Sequence, residues 1–154
     1  MAAPTVTLYN KFAARYGDAT NLLLPSGTFK ITLHTDSYTF SAAHAVYADL
    51  SNELATAYGY TAGGLALTGV TLTTVTTNDC MFDFNDPEWT ATGGNIPAWR
   101  YAVVRRVGTI NTFVDPLICC ILGDSAPADI AATVDNDILK IVVAAGGLIA
   151  GTVA

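Results

Sequence analysis

Phe29, Ile31 and Leu33 alternate with Lys30, Thr32 and His34, and this period of two predicts a half-buried β-strand. Leu65 to Thr77 is rich in threonine and β-branched residues and also reads as a strand. Its inward positions are odd at Leu65 and Leu67 but even at Val70 and Leu72. Gly69 stands at the switch, which predicts a β-bulge. Asn78-Asp79 reads as a turn. Cys80, Phe82 and Phe84 then alternate with Met81 and Asp83, giving the second strand of a hairpin. Asp86-Pro87 ends that run, Trp89 to Ala91 is a short strand, and Gly93, Gly94 and Asn95 form a loop. Trp99 to Val107 is a long strand with an apolar centre. Leu117 to Leu122 is apolar on both faces and is expected at the middle of a sheet. Ile138 to Val143 is the last strand the pattern predicts, with Lys140 on its exposed side.

Helical periodicity is confined to the start. Leu8, Phe12 and Tyr16 share one face, so a short helix is expected over 8–16. Asn21 to Gly27 closes it with a Pro/Gly turn. Tyr47 to Ser51 has room for one helical turn, and Glu53 to Thr56 for a short strand. Short strands punctuated by glycine turns predict a single all-β domain over 1–154. The expected architecture is a β-sandwich, with a jelly roll as one arrangement of it, and a small-residue tail over 144–154.

Composition changes the picture in one respect. Hydrophobic residues make up 51% of the 154, and charged residues only 13%, against about 25% in ordinary soluble domains. A surface so poor in charge predicts that part of it is covered in the working state. Net charge is −6 and no Lys/Arg stripe exists, which argues against a nucleic-acid surface. Met1-Ala-Ala-Pro-Thr lacks the basic region and apolar core of a secretory leader. The apolar stretch from Ile138 to the end is interrupted by Lys140 and is shorter than the ~20 residues of a membrane span, so no membrane partner is expected. The three cysteines, Cys80, Cys119 and Cys120, are odd in number and two are adjacent. Buried free thiols are expected in place of a disulfide framework.

Candidate chemistry is sparse. The two histidines, His34 and His44, have no cysteines or carboxylates spaced to converge on them as metal ligands. Asp83, Asn85, Asp86 and Glu88 have the oxygen density of a calcium loop without its order, and such residues in turns satisfy backbone groups themselves. No serine sits in a nucleophile elbow, and Gly146 to Gly151 lacks the ending of a phosphate loop. Neither a cofactor nor catalysis is expected. Tyr58, Tyr60, Trp89 and Trp99 form either a sugar-stacking platform or, more commonly for such residues, core or interface. Arg100, Arg105 and Arg106 are three of the seven cations and lie along one expected strand, which makes that strand a candidate contact surface.

Several segments, taken in order, resemble a family of small structural proteins encoded among the virion genes of tailed bacteriophages. They are Leu8 to Lys11, Phe29 to Thr35, Tyr38 to Phe40, Ala48 to Leu50, Glu53-Leu54, Gly59-Tyr-Thr-Ala-Gly-Gly64, Leu67 to Gly69, Phe82-Asp83, Trp89 to Gly94, Ala98 to Val104, Asp115 to Ile118 and Ile138 to Ile141. The similarity spans about residues 8–143. It departs at Cys119-Cys120, where the family more often has tyrosine or another polar residue, and in the longer tail beyond Val143.

The resemblance implies a non-enzymatic head decoration (cement) protein, made in the host cytoplasm and bound to the outer capsid surface. Its partners would be the major capsid protein and further copies of itself, as a trimer. The contact candidates are Tyr58, Tyr60, Trp99, Arg100, Arg105 and Arg106, with Gly146, Gly147, Leu148 and Ile149 of the tail. A tail or neck adaptor, a fibre-base subunit and a particle-displayed carbohydrate-binding module are the alternatives.

Overall fold

The computed structural model describes residues 5–15, 27–76, 79–124, 128–144 and 147–152. Tyr16, the turn over 21–26, Thr77 at the end of the expected strand, Asn78 and Gly146 lie outside them. In chain order the elements are β1 (Thr5–Leu8), α1 (Asn10–Arg15), β2 (Phe29–His34), β3 (Leu65–Ala66), β4 (Thr71–Thr76), β5 (Asp79–Asp83) and β6 (Glu88–Thr90). There follow β7 (Tyr101–Arg106), β8 (Thr109–Ile110), β9 (Phe113–Val114), β10 (Leu117–Leu122), β11 (Ile138–Lys140) and β12 (Ile149–Thr152). The fold is all-β, and every strand pairing in it is antiparallel.

A five-stranded sheet in the order β1-β10-β7-β2-β3 forms the centre. Register puts Ile31, Leu33, Ala102, Val104, Cys119 and Ile121 on one face. That face meets the three-stranded sheet β12-β5-β4 and the pair β11-β6, and the Phe29 and Phe82 rings, 5.2 Å apart, bridge the layers. The arrangement is sandwich-like, with Phe82, Phe84, Trp89 and Leu139 in the common core. The opposite face carries Thr32, His34, Val103, Arg105 and Cys120, and is roofed by Tyr9, Tyr38 and Tyr47. Both faces of the central strands are therefore covered, which is why β10 reads as an unbroken apolar run.

Four expectations need correction. The N-terminal segment begins as a strand: Leu8 closes β1 and the helix starts at Asn10. Thr32 and His34 are fully buried, so β2 is not half-buried; its polar side chains are paired under the roof. Leu65 to Thr76 is not one bulged strand. β3 and β4 belong to different sheets, and the parity switch marks the corner where the chain crosses between them. Gly69 makes that corner with φ of 61°, and the backbone and side chain of Asn85 bond to Thr68 beside it at 2.9 and 3.2 Å. Finally, β11 is not the last strand. Ile149–Thr152 of the tail pairs with β5, and the Leu148 N–H donates to the Phe82 carbonyl at 3.0 Å.

Candidate interaction surface

The arginines expected at the surface are engaged inside the chain. Arg105 is 4% exposed. Its Nη1 donates to Asp115 Oδ2 at 2.6 Å, its Nη2 donates to the Gly63 carbonyl at 2.9 Å, and its guanidinium lies 4.0 Å from the Tyr47 ring centre. This one side chain ties the loop at Gly63 and the β8-β9 hairpin to β7. Arg106 stacks over Phe29, with 5.4 Å between guanidinium carbon and ring centre. Arg100 is half-buried and its Nε donates to Asp129 Oδ1 at 2.7 Å.

The aromatic candidates separate by burial. Tyr60 is buried; its hydroxyl accepts from the Leu33 N–H at 3.0 Å and donates to Glu53 Oε1 at 2.7 Å. Trp89 and Trp99 are also buried, so no platform of four exposed rings exists. Tyr58 alone of these is exposed, at 47%, and its ring covers Gly94, where any β-carbon would collide with it. Gly147 adopts φ of 77° ahead of β12, and Leu148 and Ile149 are half-buried against the core.

Glu53 is the polar hub that sequence reasoning did not single out. Its carboxylate accepts from the hydroxyls of Tyr47 and Tyr60 and, at 2.7 Å, from the Gly63 N–H. Burial, reinforced by the Glu53 carboxylate, pushes the Tyr47 phenol up to about 12. The only sequence signal was Glu53 lying close to two tyrosines and a glycine pair. On the same roofed face, His34 Nδ1–H donates to the Ser51 carbonyl at 2.8 Å, and its Nε2 accepts from the Thr32 hydroxyl at 2.9 Å. Tyr38 links Tyr9, at 3.2 Å, to His44, at 3.0 Å. Burial raises the thiol pKa values of Cys119 and Cys120, the latter to about 12, so neither is an activated nucleophile.

The acidic run is likewise occupied. Lys140 Nζ lies 2.8 Å from Glu88 Oε1 and 3.2 Å from Asp86 Oδ2, while Asp83 accepts from the Phe84 N–H at 2.9 Å. Among the described residues no three His, Cys, Asp or Glu side chains gather as a metal-holding group. Nor is any described helix long and apolar enough to cross a membrane.

Part of the exposed surface is apolar. A mostly apolar groove of about 370 Å³ runs between β11 and the Trp99–Gly123 corner, lined by Trp99, Ile121, Ile130, Ile138, Ile141 and Val142 with Lys140 as its one charged residue. Ile138 and Val142 are 60% and 68% exposed on its rim. Val134 and Val114 are also more than half exposed. No protein-family model, curated protein or solved structure matches the chain.

Proposed function

We propose that this protein is a non-enzymatic virion component of a tailed bacteriophage, a decoration protein that attaches to the outer capsid lattice as a homo-oligomer. The observation that carries this reading is the open apolar groove with Ile138 and Val142 on its rim, on a chain with only 13% charged residues. Such area is costly to leave in water and is offset by a partner surface. The resemblance in sequence supplies the kind of partner, the major capsid protein.

The mechanism is additive burial. A standard interface covers roughly 1,600 Å² in total. An oligomer seated over a junction of capsomers repeats that contact, and the repeats act together as one multivalent attachment. The polar groups support the reading by their use: Glu53, Arg105, His34 and Tyr60 form internal bonds that rigidify the scaffold. With Tyr60, Trp89 and Trp99 buried, Tyr58 is the one exposed ring of the four that a stacking platform would use.

The test is co-sedimentation of purified protein with undecorated heads, followed by counting copies per particle by quantitative mass spectrometry. Saturable binding at on the order of hundreds of copies is the expected result. A count near six or twelve assigns the protein to the tail or neck instead. No binding to heads overturns the proposal.

A further inference from the structure

Among the described residues, β1 and β4 each present an open outer edge. β1 is the outer strand of the five-stranded sheet, and Thr5, Val6 and Thr7 are all exposed. β4 is the outer strand of the three-stranded sheet, and Thr71, Leu72 and Thr73 are exposed as well. Neither strand contains a charge or a proline. Natural sheet edges usually carry such devices, or are very short, because a bare edge is a template for another strand. Of the other edges among the described residues, β3, β8 and β9 have two residues each and the β6-β11 pair carries the Lys140–Glu88 ion pair, while β12 has no such device. The register of β4 shifts between Thr74 and Thr76, and Thr71 to Thr74 is its regularly paired part.

We propose that β1 of one copy adds as a strand to β4 of a second copy, head to tail. A copy of this chain fits because the two edges match in length and in chemistry. β1 offers Thr-Val-Thr-Leu and β4 offers Thr-Leu-Thr-Thr, so threonine and branched apolar side chains meet across the junction. Charge selects this pairing over an edge with its own kind. β1 leads directly into α1, whose sequence carries Lys11 and Arg15. Among the described strands β5 lies beside β4, and its sequence begins at Asp79 and ends at Asp83. With a net charge of −6 opposing self-association in general, the arrangement that brings the basic start of one copy to the acidic strand of the next is the favourable one. Such an interface is heterologous, so it closes into a ring if the rotation between copies allows it. The apolar groove is then left free for a different surface.

This inference rests on the homo-oligomer half of the proposed function and is independent of its capsid half. Light scattering on gel-filtered wild type, Thr7→Lys, Thr73→Lys and an equimolar mixture of the two variants tests it. The wild type should assemble with rising concentration. Each variant alone should be monomeric, its apparent association weakened at least about tenfold by a charge on the added edge. The mixture should form a one-to-one dimer and nothing larger, since each variant keeps the edge the other has lost. That recovery also shows that both variants are folded. Wild-type assembly by both variants overturns the inference and leaves oligomerisation through another surface standing. Assembly by Thr7→Lys but not by Thr73→Lys indicates β4 meeting β4 and overturns the head-to-tail arrangement. A mixture that stays monomeric also overturns it. A wild type that is monomeric at all concentrations removes the oligomer half as well, while head co-sedimentation reports separately on attachment.

Discussion

His34 is held neutral by its enclosure. Burial lowers its pKa below the ordinary 6.5, outweighing the Ser51 carbonyl and the Glu53 carboxylate, which act in the opposite direction. The unfolded chain therefore takes up a proton on this residue at a higher pH than the folded one. The resulting stability is fully present above the ordinary histidine value and is lost as pH falls through it toward the lower folded value. Urea unfolding between pH 8 and 5 should show that fall, and His34→Asn should flatten it. Glu53 makes a second case. It is half-buried and accepts three hydrogen bonds, two from tyrosine hydroxyls. Glu53→Gln should lower unfolding free energy by about 1–3 kcal/mol, since a charged acceptor is lost. A double-mutant cycle with Tyr60→Phe should show coupling, and strict additivity would mean the hub is not a network. Neither residue's role was legible in the sequence. An alternating strand places His34 on the side opposite Phe29, but only the roof of Tyr38 and Tyr47 makes that side interior. The burial of Arg105 and Trp99 was hidden for the same reason: residue type and parity do not say which face a distant segment covers.

Elements were more legible than the faces they bury. β2, β5, β6, β7 and β10 lie where period, breakers and β-branched content put them, because those signals are local. What failed was non-local. The parity change at Gly69 was visible, but a bulge and a crossing between sheets leave the same trace in one dimension. The corner has a testable consequence. A β-carbon at Gly69 faces both a left-handed φ and contact with Asn85, so Gly69→Ala should lower stability by about 1–2 kcal/mol, read from the urea midpoint. The tail was misread because Ala-Gly-Gly-rich sequence has weak strand propensity, and only the exposed edge of β5 converts it into β12. A chain ended at Ala144 should accordingly melt several degrees lower and bind a hydrophobic dye, as β5 and Phe82 lose their cover.

At the scale of the whole molecule, low charge and open apolar area act together on association. The net charge of −6 sets a weak general repulsion between copies, which salt screens. Burial of the groove is apolar and depends little on simple salt, and it strengthens in sulfate. Attachment driven by that groove should therefore survive 1 M sodium chloride, whereas attachment through Arg100 should not. The groove's rim offers the matching substitutions. Ile138 and Val142 project into solvent, so Ile138→Lys and Val142→Lys remove little packing and should leave the melting temperature within about 2 °C of wild type. Each places a charge where a dry contact forms, which costs on the order of 2 kcal/mol per contact and weakens binding to heads by more than tenfold. Co-sedimentation of both variants with undecorated heads measures this. Binding that is unchanged by either variant, and released by salt, would mean that the polar surface makes the attachment and the groove serves another partner.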